Sequence, residues 1–273
     1  MNEDELAAGK ESVIGLLADE WSSIIDLLAG LDDEAWATPV LPGWDVHDTL
    51  AHMIGTELAL SGAALPDVTA EPGPHVHNDI GKLNELWVTA LRSRSNAELL
   101  ASFREVTAKR LAALAEMSVA DFNAASWTPA GPSTYRRFME IRIFDCWMHE
   151  QDIRAALGLP GNESGPAAER SVDEVVGALG YIIGKRGRAP DGSSVLIRLT
   201  GPVSRELRVV TDGRAKVVES FTGEPTAAFA LSSSLFLRLA GGRENPQAAL
   251  ERVELSGDVS LARQLATNLA FTI

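Results

Sequence analysis

The spacing of apolar residues changes once along this chain of 273 residues, near residues 157–165. Before that point apolar side chains recur every three or four residues, which is typical of amphipathic helices. After it, short runs that alternate between apolar and polar residues predict strands, and Asp212-Gly213 is a strong two-residue hairpin signal. The pattern therefore predicts an α+β protein of two domains. Residues 1–160 form a four-helix bundle, and residues 161–273 form a small α+β domain with an antiparallel sheet.

The same pattern gives approximate bounds for the individual elements. In the first domain it predicts helices at about 11–30, 46–58, 80–117 and 131–157, with a break near 93–96 as one alternative. Asp45 stands at the N-cap position of the second helix. In the second domain it predicts helices at about 166–185, 232–241 and 258–268, and strands at 194–199, 206–211, 215–219, 227–231 and 252–255.

The charge and composition of the chain exclude several classes of function. The net charge of −14 lies wholly in residues 1–160, which hold 25 acidic and 11 basic residues. Such a surface argues against nucleic acid as a partner, because phosphate binding requires a basic face. No apolar run is long enough to span a bilayer, and the acidic first residues do not resemble a secretory signal. A single cysteine excludes an intramolecular disulfide, so we expect a cytoplasmic protein with no membrane partner.

Two histidines, His52 and His149, each lie on the inner face of a predicted helix. Asp145 precedes His149 by four residues, so their side chains share one face of the fourth helix. An imidazole from the second helix completes a set of two nitrogens and one oxygen, with a fourth position open. Because structural zinc sites are normally closed by four protein ligands, this set is typical of a catalytic divalent-metal site. We expect zinc at His52, Asp145 and His149, with nickel, manganese and iron as alternatives.

Simpler interpretations of these residues remain open. A lone helical histidine is more often a hydrogen-bonded core or surface residue than a ligand, and Asp145 with His149 could form an ion pair on a solvated face. Their apolar neighbours favour the metal site, because an unpartnered ion among them would be costly. Because aspartate is shorter than glutamate, one alternative is that Asp145 contacts the metal only through a water molecule. Asp152 or Glu57 is then the alternative ligand, or the group that orients a ligand imidazole.

Other polar residues have weaker claims to a site. His75-Val-His77, in a loop rich in Pro and Gly, is a competing metal candidate, but a solvated loop or a place at the mouth of the site explains it more simply. His47 lies in the first turn of its helix and is expected to be exposed. Cys146 points about 100° away from Asp145 around the helix. It is expected to be a buried, inert thiol, since its segment supplies no electropositive setting.

Gly241-Gly242-Arg243 ends a predicted helix of the second domain. An ordinary helix C-cap followed by a solvated arginine is one explanation. The alternative is that Arg243 or Arg238 reaches the first domain and binds a substrate carboxylate, for which a guanidinium is well shaped. An anionic substrate would need such an arginine or the metal, because the first domain is acidic.

With these motifs, the chain resembles the maleylpyruvate isomerase family of mycothiol-dependent enzymes, whose N-terminal bundle belongs to the DinB-like metal-binding superfamily. The first matching segment is Leu41-Pro-Gly-Trp-Asp-Val-His-Asp-Thr-Leu-Ala-His52-Met-Ile-Gly-Thr-Glu57. The second is Arg142-Ile-Phe-Asp-Cys-Trp-Met-His149-Glu-Gln-Asp152-Ile-Arg154. The C-terminal part, with Gly241-Gly-Arg243 and Ser256-Gly-Asp258, resembles the family's sterol-carrier-protein-like domain.

The resemblance implies a zinc ion held by His52, Asp145 and His149, although the isomerase itself carries glutamate where this chain has Asp145. It also implies an essential arginine in the C-terminal domain, which maps to Arg243, and the thiol cofactor mycothiol at the open metal position. The implied activity is isomerisation or S-transfer on a small electrophilic substrate by a metal-activated thiolate. The alternatives are a non-catalytic metal-containing module that binds a small ligand or a protein, and a metal-dependent hydrolase.

Overall fold

The computed structural model describes residues 2–71 and 73–272, and the chain divides into two compact units, Met1–Asn162 and Glu163–Ile273. The predicted α+β class is confirmed, since the first unit is mainly helical and the second combines helices with a five-stranded sheet. Within the described residues, no helix combines the length and the hydropathy that crossing a bilayer requires.

The first unit consists of long helices joined by short helices and two small hairpins. In chain order its elements are α1 (Glu3–Ala29), α2 (Asp33–Trp36), β1 (Pro39–Leu41), β2 (Trp44–Asp45), α3 (Val46–Leu60), α4 (Asp79–Leu91), α5 (Asn96–Glu116), α6 (Val119–Phe122), β3 (Ala125–Thr128), β4 (Gly131–Thr134) and α7 (Tyr135–Leu157).

Two boundaries in this unit depend on capping residues. The break near residues 93–96 is present: α4 ends at Leu91, and Ser95 begins α5 in a capping box with Glu98. The predicted start of the fourth helix was wrong, because residues 131–134 form β4 and α7 begins only after its N-cap, Thr134. Gly131 has a φ of +101°, which suits a hairpin turn and not a helix.

The core of the bundle lies between α1, α3, α5 and α7. Helix α1 packs against α5 and α7, and α3 packs against α4, α5 and α7. Fully buried side chains on these faces include Trp21, Met53, Phe103 and Trp147. The helices that carry the two candidate histidines, α3 and α7, are therefore held in place by the same apolar core.

The second unit carries the sheet. Its elements are α8 (Pro166–Tyr181) with a π-helical turn (Ile182–Arg186), β5 (Ser194–Thr200), β6 (Arg205–Asp212), β7 (Arg214–Val218), β8 (Ala227–Ser232), α9 (Ser233–Ala240), α10 (Pro246–Ala249) with a 3₁₀ turn (Leu250–Arg252), β9 (Glu254–Gly257) and α11 (Val259–Ala266).

The strand order is β7-β6-β5-β8-β9. Three of the four pairings are antiparallel as predicted, whereas β5 and β8 run parallel, so the sheet is mixed. The alternating pattern could not reveal this, because it reports which face of a strand is buried and not which neighbour the strand pairs with. The predicted hairpin at Asp212-Gly213 is confirmed: it joins β6 to β7, with Gly213 at a φ of +64°.

Candidate metal centre

The first candidate ligand, His52, is positioned by the start of α3. Asp45 caps this helix as predicted, because its side chain accepts a hydrogen bond of 2.8 Å from the backbone N–H of Asp48. His52 follows two turns later and turns its ring into the bundle, where only 6% of the residue remains exposed. The cap and the apolar face of α3 together fix the direction of this ring.

The other two candidates come from α7, and the structure brings all three together. Asp145 lies between the two rings: its Oδ2 is 3.6 Å from Nε2 of His52, and its Oδ1 is 3.5 Å from Nε2 of His149. The ring centroids of the two histidines are 4.9 Å apart. The three side chains thus form one group whose ligand atoms lie within 4.8 Å of one another.

These distances fit a cation better than they fit hydrogen bonds. Two atoms bound at roughly 2.1 Å to a tetrahedral ion lie about 3.4 Å apart, whereas a hydrogen bond would bring them below about 3.2 Å. Each oxygen of Asp145 stands near this distance from one Nε2 atom, Oδ2 from that of His52 and Oδ1 from that of His149. One carboxylate oxygen and two imidazole nitrogens are also a donor set that zinc accepts. The residues present fit a divalent cation.

Arg142 keeps the Asp145 carboxylate ionised. Its Nη1 donates a hydrogen bond to Oδ2 of Asp145, one turn further along α7. Burial by itself would raise the pKa of Asp145, but the guanidinium of Arg142 and the neighbouring His149 outweigh burial and hold this pKa well below its usual range. A metal ligand must be deprotonated, so the arginine prepares the oxygen for a cation.

The two imidazoles respond differently to their surroundings. Burial lowers the pKa of His52, since the favourable effect of Asp145 does not compensate for the loss of hydration. Burial also acts to lower the pKa of His149, but Asp145 and then Asp152 outweigh it, so that this pKa is raised. His52 is consequently the ring that stays neutral, and thus ready to bind a cation, over the wider pH range.

Glu57 plays a different part from the one the sequence suggested. It was one of two alternatives for a substitute ligand or an imidazole partner, but in the structure its Oε1 accepts from Nε of Arg142 and its Oε2 from Nε of Arg110, both at 2.9 Å. Nη2 of Arg110 also donates to the backbone carbonyl of Glu57, at 2.9 Å. Glu57 therefore supports Asp145 through Arg142. Neither arginine was predicted from the sequence, although Arg142 stands one turn before Asp145 and shares its helix face.

Asp152 lies on the far side of the His149 ring. Its Oδ2 is 3.6 Å from Nδ1 of His149, while Asp145 faces Nε2. This separation exceeds hydrogen-bond length. Asp152 is therefore placed to influence the orientation and basicity of the ring, and it is not one of the three clustered ligand residues.

The remaining histidines lie outside this group. Nε2 of His75 is 3.0 Å from Oε1 of the buried Glu85, whereas His77 is exposed. The competing metal candidate at 75–77 is not among the groups of potential ligands in the described residues. His47 is half-buried where exposure was expected, because its Nε2 lies 2.9 Å from the carbonyl oxygen of Arg94.

A second acidic group surrounds His47 but is already paired. Asp45, His47 and Asp48 offer oxygen and nitrogen atoms within 4.8 Å of one another. However, Arg92 donates to both carboxylate oxygens of Asp48, at 2.9 and 3.0 Å, and the side chain of Asp45 caps α3. Helix capping and ion pairing explain this group without a ligand.

Cys146 is buried, as predicted, but its surroundings are not simply apolar. Sγ lies 3.3 Å from Nε1 of Trp21 and 3.4 Å from Nη2 of Arg142, and both nitrogens donate to it. The expectation that no positive group would lie near was therefore wrong. Burial nevertheless dominates over Arg142 and raises the pKa of Cys146 to about 12. The thiol is protonated at neutral pH, which is a poor state for a nucleophile.

The arginines of the second unit take part in a local arrangement after α9. Nη1 of Arg243 donates to the carbonyl oxygen of Gly241 at 2.6 Å, and Nε of Arg238 donates to Glu244 at 3.1 Å. The C-terminal capping explanation is consistent with these contacts. Substrate binding by Arg243 or Arg238 stays a prediction.

Comparison with known proteins shows the family. Residues 17–154 match the sequence model of the mycothiol maleylpyruvate isomerase N-terminal domain, and residues 169–264 match that of the MDMPI C-terminal domain. The chain belongs to the mycothiol maleylpyruvate isomerase family. A search of curated protein sequences found no match.

Solved structures share the fold of this chain over most of its length. A crystal structure of the mycothiol-dependent maleylpyruvate isomerase aligns with a TM-score of 0.58 and 17% identity, over 90% of this chain and 92% of the other. A histidine-to-alanine mutant of that isomerase aligns over the same shares, with a TM-score of 0.57 and 17% identity. Sterol carrier protein 2 from Yarrowia lipolytica covers 37% of this chain and 92% of its own, at 13% identity and a TM-score of 0.29. That last value is too low to support an argument.

Proposed function

We propose that this protein is a metal-dependent, mycothiol-using isomerase or S-transferase that acts on a small electrophilic substrate. The observation that carries the proposal is the group formed by His52, Asp145 and His149, found in a chain that belongs to the mycothiol maleylpyruvate isomerase family. Three protein ligands leave one coordination position for an exogenous molecule, as catalytic sites do.

In this proposal His52, Asp145 and His149 hold a divalent cation, with zinc the best match to their donor atoms. When bound, such a cation favours the thiolate over the thiol form of a coordinated sulfur at neutral pH. Arg142 keeps the Asp145 oxygens deprotonated and in place, so the protein does not have to reorganise when the ion arrives. Both imidazoles are only 6% exposed, so little water reaches them.

The thiol that reacts is proposed to come from mycothiol and not from the protein. The chain has one cysteine, and its thiol is buried with a raised pKa.

Arg243 is proposed as the residue that binds an anionic group of the substrate, since a guanidinium matches the geometry of a carboxylate. The N-terminal unit cannot easily supply this attraction, because its charged residues are mainly acidic.

The metal content of the purified protein tests the first part of the proposal. We expect about one zinc ion per chain, retained after dialysis and lost in His52→Ala and His149→Ala. His77→Ala serves as the matched control, because that histidine is exposed and lies outside the group. Metal content that is the same in all four proteins would overturn the site.

A thiol-dependence screen tests the second part. Metal-loaded protein is incubated with mycothiol and a panel of electrophiles that includes maleylpyruvate, and consumption is followed by absorbance. We expect turnover that requires both metal and mycothiol. Turnover without any thiol would favour a metal-dependent hydrolase. Inactivity of a fully metal-loaded protein across the panel would favour a binding module.

A further inference from the structure

The two candidate ligand rings lack the hydrogen bonds that usually orient a metal-bound imidazole. A ligand histidine normally donates its second ring nitrogen to a carboxylate, a carbonyl or water, which fixes the direction of the first. Within the described residues, Nδ1 of His52 and Nδ1 of His149 are both buried and make no hydrogen bond. Asp152 approaches only one of them, at 3.6 Å. Packing against the rings is therefore a second way to restrain their orientation.

This packing comes from Trp44, in β2 at the entrance to α3. Its ring lies 5.1 Å from the ring of His52, with an angle of 31° between the planes. It lies 6.3 Å from the ring of His149, at 42°. One indole therefore lies against both imidazoles in tilted ring contacts, and packing of this kind restricts rotation of the rings about χ2.

Trp44 is itself anchored by a buried carboxylate. Its Nε1 donates a hydrogen bond of 2.7 Å to Oε1 of Glu85 on α4, a residue that is only 4% exposed. Nε2 of His75 lies 3.0 Å from the same oxygen. Two nitrogens thus converge on one oxygen, and they fix the position of the carboxylate.

His75 fills a slot between two glycines. A Cβ atom added to Gly43 would lie 2.5 Å from Cε1 of His75, and one added to Gly73 would lie 2.7 Å from the same atom. Gly43 also has a φ of +81°, which strains other residues. The absence of side chains at both glycines therefore leaves room for the imidazole of His75. In this position its Nε2 lies beside Glu85.

We propose that Trp44 orients the imidazoles of His52 and His149, and that Glu85 and His75 are positioning residues that hold Trp44. The indole contact restrains both rings, in addition to the approach of Asp152 to Nδ1 of His149. This inference deepens the proposed function, because it rests on the histidine pair being metal ligands. It assigns a role to His75 that differs from metal binding.

Paired variants test whether Trp44, Glu85 and His75 act by orienting the two histidine rings. Glu85→Ala removes the acceptor for Trp44, whereas Glu85→Gln keeps a carbonyl oxygen there and should rescue the loss. Trp44→Leu removes the ring, whereas Trp44→Phe keeps an aromatic face without the N–H donor. His75→Ala is compared with His77→Ala, since the second histidine lies in the same loop and is exposed.

Zinc affinity is measured by competition with a chelator, and ligand geometry by the visible absorption spectrum of the cobalt-substituted protein. We expect Glu85→Ala and Trp44→Leu to weaken zinc binding about tenfold or more, as changes around ligand histidines usually do. Their cobalt bands should shift or broaden. His75→Ala should have a smaller effect in the same direction, while Glu85→Gln and His77→Ala should match the native protein.

A general loss of stability would have a different signature. Lys10→Met provides the control, because it removes a buried ammonium whose hydrogen bonds go to the carbonyl oxygens of Ala115 and Met117 and not to the histidine pair. It should lower the melting temperature and leave the cobalt spectrum unchanged. Native affinity and an unchanged spectrum in both Glu85→Ala and Trp44→Leu would overturn this inference alone. Absence of metal from the native protein would instead overturn the proposed function.

Discussion

Arg142 joins the candidate ligand Asp145 to the neighbouring helix α3. Its Nη1 donates to Oδ2 of Asp145, and its Nε donates to Oε1 of Glu57 at 2.9 Å. Arg110 of α5 binds the other oxygen of Glu57, also at 2.9 Å. Three helices therefore meet in one buried ionic network that ends at the proposed metal centre, and the carboxylate is placed before any ion binds.

Replacing Arg142 tests this network. Arg142→Met leaves the buried Glu57 and the half-buried Asp145 each short of a partner, and breaking a buried ion pair such as that of Glu57 typically costs about 3 kcal/mol or more. We expect a loss of that size in the free energy of unfolding, measured by urea denaturation, together with weaker zinc binding. The stability and the zinc affinity of Arg142→Lys should lie between those of Arg142→Met and of the native protein. An ammonium keeps the positive charge, but it cannot bind both carboxylates with the geometry of a guanidinium. Native stability in Arg142→Met would contradict the role of the network.

Cys146 should be unreactive in the folded protein. Burial raises its pKa to about 12, so very little thiolate is present at pH 8. We expect iodoacetamide to leave the native protein unmodified at pH 8 and to alkylate it rapidly in urea, as followed by intact mass. Cys146→Ser should retain metal binding and any mycothiol-dependent turnover. Loss of turnover in a folded, metal-loaded Cys146→Ser protein would show that the protein's own thiol takes part.

The residues of the candidate centre could be predicted because they obey local rules. Asp145 and His149 are one helical turn apart, and His52 lies on the inner face of a helix whose cap, Asp45, is visible in the sequence. Helical periodicity fixes which side chains point into a bundle. It therefore predicted which residues face inward, and the packing of α3 against α7 brought them together.

The supporting residues could not be predicted in the same way. Arg110, Arg142 and Glu85 are charged, and a periodicity analysis assigns charged helix positions to the solvent by default. Their burial depends on partners between 41 and 85 positions away along the chain, as for Trp44 with Glu85 and Glu57 with Arg142. Such pairings are set by tertiary packing. The parallel pairing of β5 with β8 escaped prediction for the same reason.

Glu20 forms a buried carboxyl pair with Glu150. Both residues are almost fully buried, at 1% and 0% exposure, and Nδ2 of Asn162 donates to each of them, at 3.2 and 2.6 Å. Arg154 and Ser23 bind Glu150, both at 2.7 Å, whereas Oε1 of Glu20 makes no hydrogen bond within the described residues. Burial, followed by the charge of Glu150, raises the pKa of Glu20 well above its ordinary value.

This shift predicts the pH dependence of stability. Glu20 binds its proton more tightly in the folded protein than in the unfolded chain, so stability falls as the pH rises from about 4.3 through the raised pKa. Glu20→Gln mimics the protonated acid. We expect this variant to be more stable than the native protein at pH 8 and nearly equal to it at pH 4, by urea denaturation. Asp26→Asn, at an exposed site on α1, should show no such difference, and the same flat response in Glu20→Gln would contradict the prediction.

Arg243 provides the test of substrate binding that is independent of the metal. Losing a charge-assisted contact to a carboxylate typically costs about 2 kcal/mol or more, which corresponds to a fall of roughly 30-fold in kcat/KM. We expect Arg243→Ala to show this fall with an anionic electrophile, little change with a neutral one, and full metal content. Arg263→Ala, at an exposed position on α11, is the control for a general loss of positive charge. If Arg238→Ala shows the selective fall and Arg243→Ala does not, the substrate contact belongs to Arg238. Equal losses for both electrophiles in Arg243→Ala would indicate that the residue supports the fold and does not bind the substrate.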